Sequence, residues 1–328
     1  MDEQAHAWMA ANARDALNPP GSLDVRRSIA ALKGTTRISV VIPARNEEGT
    51  LGRIVAAMRH DLMLESAIID ELLVIDSDST DGTAAIARGA GAAVHSAADI
   101  RPDLGWFPGK GEAMWKSLFV ATGDIIVFID GDLTTFSTDY VPALVMPLLH
   151  DARLQLVKGC YQRDLTAPGL DVLGTRQGGR VTELMARPLI NVWWPALAGV
   201  IQPLAGEWAA RRDLLGSLAI PCGYGVELAV LVDTFTRFGL DSIGQVDLGV
   251  RDHTHQDLAS LGTMAAEILA AATTRRFPDA NALGTTITQV QRELDGYAII
   301  DRQINAQERP PRQAVATGPS RVSREAGQ

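Results

Sequence analysis

The sequence has little that could cross-link a chain. Two cysteines, Cys160 and Cys222, stand in 328 residues, and neither sits in a Cys-x-x-Cys spacing. Zinc ribbons and thioredoxin-like redox chemistry are therefore poorly supported, and two inert thiols in a reducing compartment are expected. No uninterrupted apolar run reaches the ~20 residues that a bilayer span needs. Asp2 and Glu3 stand where a secretory leader carries basic residues, so a cytoplasmic protein with no membrane partner is expected. Positive charge is also short: 30 Lys and Arg against 39 Asp and Glu leave a net charge of −9. General nucleic-acid affinity rests on phosphate contacts and is not expected. An anionic ligand would have to be met by local cations or a metal acting against that field. Internal repeats and the Gly-x-x-x-x-Gly-Lys-Ser/Thr spacing of a P-loop are absent as well. What is present is ordinary globular composition, since 46% hydrophobic residues in a chain of this length suffice for one large core or two modest ones.

Residues 1–37, with the turn Asn18-Pro19-Pro20-Gly21, read as a loosely packed lead-in holding a short helix or two. A regular alternation then occupies 38–153. Ile38–Ile42 is a short apolar run closed by Pro43, and Leu51, Ile54, Val55 and Met58 follow at helical spacing. Leu72–Ile75 repeats the unit, leading into Asp76-Ser77-Asp78-Ser79-Thr80-Asp81-Gly82-Thr83, an Ala-rich helix and a short strand at Ala92–Val94. A helix at Lys110–Val120 and a strand at Ile125–Ile129 complete it. The last strand is too apolar for a sheet with one wet face, so helices should cover both sides. The fold class is α/β: a doubly wound, mostly parallel sheet flanked by helices. In 154–274, read as the acceptor-binding region, helices are expected at Val181–Leu197 and Gly225–Phe238, a strand at Ile243–Val250 and an amphipathic helix from Leu258. The extension 275–328 is rich in Pro, Arg, Ser and Gly from Glu308 onward and is expected to be disordered there.

Ligands of such sheets bind beyond the carboxyl ends of the strands, and Asn46-Glu47-Glu48, Asp76-Ser77-Asp78 and Asp130-Gly131-Asp132 all fall on that rim. Two carboxylates at a strand tip suit Mg²⁺ or Mn²⁺, whose shell is completed by water and phosphate oxygens. A solvated turn is the competing reading, because Asp and Gly are also standard turn residues. Asp81 and Ser79 match helix capping, whereas Asp76 and Ser77 precede the cap and could meet a ribose or base edge. Pro108-Gly109-Lys110-Gly111 sets a lysine between two glycines before a helix, where backbone, cation and helix N-terminus all favour a diphosphate. Gly178-Gly179-Arg180-Val181-Thr182-Glu183 has the same grammar and suits a second phosphate, with capping as the alternative. His253 and His255 follow the last strand, and a neutral His253 could complete a metal shell with Asp132.

In this order the motifs resemble those of the actinobacterial glucosyl-3-phosphoglycerate synthases, GT-A type retaining glycosyltransferases that start methylglucose lipopolysaccharide synthesis. The resemblance runs from about Ile38 to Thr274. It includes Val41-Ile42-Pro43-Ala44, Pro108-Gly109-Lys110-Gly111-Glu112-Ala113, the Asp-x-Asp, Gly223-Tyr224-Gly225-Val226-Glu227 and Gly249-Val250-Arg251. It implies transfer of glucose from UDP-glucose to the 2-hydroxyl of 3-phosphoglycerate, a divalent cofactor (Mg²⁺ or Mn²⁺) and a homodimer. Donor-binding positions fall on Pro43, Ala44, Arg45, Glu47, Asp76, Ser77, Lys110, Asp130 and Gly131. Acceptor-binding positions fall on Gly179, Arg180, Val181, Thr182 and His255, and metal ligands on Asp132 and His253. Glu227, Lys110, Arg251 and Tyr224 are the candidate catalytic residues. Arg45, Gly131 and His255 depart from the family's usual residues, so the related mannosyl-3-phosphoglycerate synthases, which use GDP-mannose, are the alternative. A nucleotidyltransferase would carry a Gly-rich loop where Pro43-Ala44-Arg45-Asn46-Glu47 stands, and a processive transferase a Gln-x-x-Arg-Trp signature.

Overall fold

The computed structural model describes residues 3–16, 23–163, 179–251, 257–279, 284–293 and 296–315. Aliphatic and β-branched runs build a seven-stranded sheet from β1 (Ile38–Ala44), β2 (Glu71–Asp76), β3 (Ala93–Ser96), β4 (Ile125–Phe128), β5 (Leu156–Arg163), β6 (Trp208–Arg211) and, after the two-residue β7 (Ile220–Pro221), β8 (Ile243–Arg251). Their order across the sheet is β3-β2-β1-β4-β6-β5-β8. β3, β2, β1 and β4 are parallel; β6 runs against both β4 and β5, and β5 and β8 are again parallel. The expected doubly wound, mostly parallel sheet is what forms, and it continues without a break across residues 153 and 154. Because β1 has β2 on one side and β4 on the other, the chain reverses its direction of winding there. The reversal opens a crevice beyond the carboxyl ends of these strands.

Two apolar layers sandwich the sheet. Ile125 and Val127 of β4 point into one, while Ile126 and Phe128 point into the other, which is why this strand shows no polar alternation. Helices cover both faces. α1 (Glu3–Ala16) and α2 (Leu23–Lys33) come first, and they correct the expectation of a loose lead-in. Ala5 and Trp8, three residues apart on α1, are buried, as is Ile29 of α2. α3 (Leu51–Met58) buries the four residues whose spacing marked it, Leu51, Ile54, Val55 and Met58, each burial contributing about 1.5–3 kcal/mol for a side chain of this size. A π-helical turn at Arg59–Glu65 follows, then α4 (Thr83–Ala90), α5 (Lys110–Ser117) and α6 (Tyr140–His150).

The helix expected at Val181–Leu197 is broken into a π-helical turn (Thr182–Ala186), α7 (Arg187–Trp193) and a 3₁₀ segment (Pro195–Gly199). Pro188 and Pro195 cannot donate to the preceding turn, which accounts for the interruptions. α8 (Arg212–Ser217), α9 (Val226–Phe238) and α10 (Leu258–Arg276) follow. The strands β9 (Thr286–Glu293) and β10 (Gly296–Gln303), which the sequence patterning missed, pair as an antiparallel hairpin.

The expectation of disorder from Glu308 onward also needs correction. β11 (Glu308–Arg309) pairs with β7, and Arg309 is buried with both ends of its guanidinium on Glu112, at 2.7 and 2.6 Å. It lies over the rings of Phe107 and Trp115, and the Trp115 indole donates to the Pro310 carbonyl. Composition marked the segment as polar and proline-rich, but one arginine with a buried bidentate partner anchors it. Residues 316–328 lie outside the described set.

Candidate active site

The rim at the carboxyl ends of β1, β2 and β4 is knitted by short polar contacts. Asn46 sits in the left-handed region (φ 59°); its amide donates to Ser79 Oγ, and its Oδ1 accepts from the Thr80 amide. The Glu47 amide donates to Thr83 Oγ1, Glu48 accepts from the Gly82 amide, and Thr50 Oγ1 donates to the Gly131 carbonyl at 2.6 Å. Asp81 accepts from the amide and hydroxyl of Thr83; the N-cap of α4 is Gly82, so the capping expected of Asp81 or Ser79 is replaced by this contact one residue earlier. Three loops thus form one edge, which Asp76 joins through Oδ2, accepting from the Ser79 amide at 3.4 Å. Ala44 stands opposite Asp76 in the sheet register. Ser77 is buried, and Asp76 Oδ1 is buried without a hydrogen-bond partner. A buried acceptor of this kind awaits a donor. Pro43 is half-buried, and Arg45 is exposed.

At the centre of the rim the Lys110 ammonium bridges two carboxylates, Asp130 Oδ1 at 2.6 Å and Glu227 Oε1 at 2.7 Å. Burial pushes this lysine's pKa down, but Asp130 and Glu227 outweigh it and hold the ammonium well above the usual range. Lys110 opens α5, and Glu227 lies in the first turn of α9, 5% exposed. Tyr224, 42% exposed, immediately precedes that turn. The glycines beside Lys110 do allow a close approach, but to the protein's own chain. A Cβ on Gly109 would lie 2.4 Å from the Cys222 carbonyl oxygen, and one on Gly111 would lie 1.8 Å from that of Pro221. The expectation that both serve a ligand's diphosphate is corrected accordingly.

Negative charge is in surplus here. Glu47 is pushed up to about 7, first by burial and then by Asp132, Asp130 and Asp81. Carboxylates gathered on one rim are the ligand type that a divalent cation takes, and Asp132, the expected ligand, is exposed there. His253, the second expected ligand, and His255 lie outside the described residues, as does the Arg251 side chain; the Arg251 backbone closes β8. Gly179, Arg180, Val181 and Thr182 open the helical run that leads into α7, with Arg180 exposed and Thr182 buried. The Gly179 carbonyl accepts from the Glu183 amide.

Residues 39–174 match the family model described as Glycosyl transferase family 2. A glucosyl-3-phosphoglycerate synthase of Mycolicibacterium paratuberculosis is 43% identical over 287 residues, covering 87% of this chain and 86% of that protein. One from Petrotoga mobilis is 39% identical, covering 89% of this chain and 91% of that protein. The chain belongs to the glucosyl-3-phosphoglycerate synthase family. A crystal structure of the Mycobacterium tuberculosis synthase in complex with Mn²⁺, UDP and glucosyl-3-phosphoglycerate matches with a TM-score of 0.79 at 41% identity, covering 90% of this chain and 96% of that one. Another of the same enzyme holds Mn²⁺, UDP-glucose and phosphoglyceric acid, with a TM-score of 0.78 at 41% identity, covering 90% and 95% of the two chains. As a member of this synthase family, the protein is a hexosyltransferase of the GT-A fold. Among the described residues, no helix is long and apolar enough to cross a membrane.

Sequence reasoning missed the residues that pack beneath this synthase-type site. A Cβ on Gly206 would lie 2.1 Å from Asp130 Oδ2, so Gly206 sets where that carboxylate rests. Next to it Glu207 is fully buried. Lys158 of β5, 2% exposed, donates to the Ala205 carbonyl at 2.7 Å and lies 5.7 Å from the centre of the Trp208 ring. Burial pushes Lys158 down to about 8, against the raising pull of Glu227 and with a further lowering by Lys110. An unfolded lysine titrates at about 10.4, so between these values the unfolded chain binds more protons and stability rises with pH. The cost of burying Lys158 is therefore fully present below about pH 8 and gone above about pH 10.4. Urea unfolding of the wild type and Lys158→Met at pH 7 and pH 10 checks this: the difference in stability should move in favour of the wild type at the higher pH.

Proposed function

We propose that the protein transfers glucose from UDP-glucose to the 2-hydroxyl of 3-phosphoglycerate with retention of anomeric configuration. The observation that carries this is the Lys110 ammonium held between Asp130 and Glu227, on a rim where carboxylates outnumber cations among the described residues. Such a site receives a diphosphate only with help from a cation. Asp132 and His253 are the residues that would hold a divalent metal, Mg²⁺ or Mn²⁺, which when bound neutralises the diphosphate and stabilises it as a leaving group. The relatives crystallised with Mn²⁺, UDP-glucose and phosphoglyceric acid support the same ligands here.

Roles follow from the chemistry of each position. The free Oδ1 of Asp76 accepts from the donor's base or ribose, while Pro43, Ala44, Arg45, Glu47, Ser77 and the Gly131 backbone line the same crevice. Lys110 leans from its two carboxylates toward the charge that builds on the departing phosphate. Asp130 orients sugar hydroxyls. Arg180 grips the acceptor's phosphate with both guanidinium nitrogens, helped by the Gly179 and Val181 backbone and Thr182, and Tyr224, Arg251 and His255 complete the acceptor side. The second half of the chain thereby supplies the acceptor region.

Glu227 is engaged with Lys110 and acts by fixing that ammonium. Retention then proceeds on one face of the sugar: the acceptor hydroxyl attacks the anomeric carbon from the side the diphosphate leaves, and the departing phosphate oxygen takes its proton. A double displacement would instead need a carboxylate nucleophile, and Glu227 is the candidate for that role. Glu227→Gln keeps an acceptor for Lys110 and should retain measurable turnover. Abolished turnover with unchanged affinity for both substrates would favour the covalent route. A homodimer accords with Val290, Tyr297 and Ile299, which stand exposed on one face of the β9–β10 hairpin. Assaying transfer to 3-phosphoglycerate from UDP-glucose and from GDP-mannose, with Mn²⁺ and with Mg²⁺, tests the assignment. UDP-glucose should give the higher kcat/KM; faster transfer from GDP-mannose would replace glucose by mannose.

A further inference from the structure

The loops that bring Lys110 and Glu227 together are not neighbours in the sheet. Lys110 belongs to the segment Pro108–Glu112, and Glu227 follows Pro221–Gly225. Their junction has three direct features: the Glu112 amide donates to the Cys222 carbonyl at 2.9 Å, the Cys222 thiol donates to the Glu112 carboxylate at 3.7 Å, and Gly109 and Gly111 press against the 221–223 backbone. Further ties pass through a third segment. One carboxylate of α10, Glu267, is 8% exposed and takes an N–H on each oxygen, from Tyr224 at 2.8 Å and from Asn305 at 2.9 Å. The Asn305 side-chain amide donates in turn to the Pro108 carbonyl. Two residues further, the Gln307 carbonyl accepts from the Cys222 amide at 2.8 Å. Two residues beyond that, Arg309 clasps Glu112, two positions after Lys110.

We propose that Glu267, acting through the strap Asn305–Arg309, is a positioning residue that sets Lys110 against Glu227 for the transfer step. The packing around it is built for one carboxylate. A Cβ on Gly223 would lie 2.1 Å from Glu267 Oε2, and a Cβ on Gly225 would lie 2.4 Å from the Ala271 side chain of the same helix. Gly223-Tyr224-Gly225 is glycine-flanked because α10 lies directly on it. Glu267 ties two segments distant in sequence, 221–227 and 305–309, to one side chain, and Asn305 and Arg309 carry the tie on to 108–112. An ionised carboxylate accepts both N–H groups at once; glutamine offers a single acceptor oxygen, and alanine none. Reacting groups held an ångström out of place lose about 10²-fold in rate, and the ammonium serves the leaving group more than it serves ground-state binding. The cost should therefore fall on kcat.

This rests on the reading of Lys110 as the leaving-group cation, so the test has a readout independent of transfer. Glu267→Ala and Glu267→Gln are compared with the wild type by steady-state kinetics with UDP-glucose and 3-phosphoglycerate, and by hydrogen exchange of the whole chain followed by peptide mass analysis. Urea unfolding shows that each variant is folded at the assay temperature. The expected result is a fall in kcat of about 10²-fold for Glu267→Ala, KM for 3-phosphoglycerate within about 3-fold, and an intermediate kcat for Glu267→Gln. Exchange should quicken in peptides spanning 104–114 as well as 221–227. Unchanged kcat in a folded Glu267→Ala overturns the proposal, as does quickened exchange confined to 221–227. If the wild type transfers no sugar, the functional reading fails, and exchange at 104–114 still decides whether Glu267 governs the Lys110 loop.

Discussion

Lys110→Met should lower kcat by about 10³-fold, a loss of about 4 kcal/mol of transition-state stabilisation, with a smaller change in KM for 3-phosphoglycerate. Two effects add. The leaving diphosphate loses the cation that follows its developing charge. Asp130 and Glu227 also lose the ammonium that bridges them at 2.6 and 2.7 Å. Removing one partner from a buried ion pair costs about 3–5 kcal/mol, so the fold should also lose stability. Lys110→Arg should not restore the wild-type rate, because a planar fork does not fit a gap set by two contacts to a single nitrogen. Steady-state kinetics and urea unfolding of the two variants separate the catalytic loss from the structural one. A kcat within tenfold of wild type for Lys110→Met would remove the ammonium from the chemistry.

Gly206→Ala should cost about 10²-fold in kcat with the global fold retained. The added methyl would stand 2.1 Å from Asp130 Oδ2 and 2.4 Å from Oδ1, so it cannot be accommodated unless the carboxylate moves. Asp130 is at once the partner of Lys110 and the residue assigned to the sugar hydroxyls, so a shift there disturbs the donor and the cation together. The methyl is small and the change is local, which makes this a sharper probe than removing Asp130. Calorimetric titration of UDP should show near-normal affinity, because Asp76 and Ser77, proposed to take the nucleotide, are untouched. Wild-type kcat in Gly206→Ala would mean that Asp130 has freedom the packing denies it.

How much of this was legible in the sequence depends on the range of the pattern. α3 could be read because Leu51, Ile54, Val55 and Met58 repeat at helical period and face one core. β1 and β4 could be read because both sides of each strand are covered. Asp130 and Lys110 could be found because a strand tip and a glycine-flanked helix start are local signals. Gly206 against Asp130, Lys158 under the Ala205 carbonyl and Glu267 between Tyr224 and Asn305 join segments about 40 to 80 residues apart. No periodicity or motif records such pairings. Gly109 and Gly111 show the converse case, in which the right residues drew a partly wrong reason: their space is taken by the 221–223 backbone. Arg309 shows why composition misjudged the C-terminal segment, since its partner Glu112 lies 197 residues away.

The central claim, glucose transfer with retention to a phosphoglycerate hydroxyl at the Lys110–Asp130–Glu227 rim, is tested most directly by identifying the product. The protein is incubated with UDP-glucose, 3-phosphoglycerate and Mn²⁺, and the product is followed by proton and carbon NMR before any anomerisation of free sugar can confuse the assignment. The account predicts one new glucoside, α-linked through the 2-hydroxyl of 3-phosphoglycerate, that forms in step with UDP and is lost in Lys110→Met. A β-linked product, or release of free glucose with no glucoside formed, would contradict it.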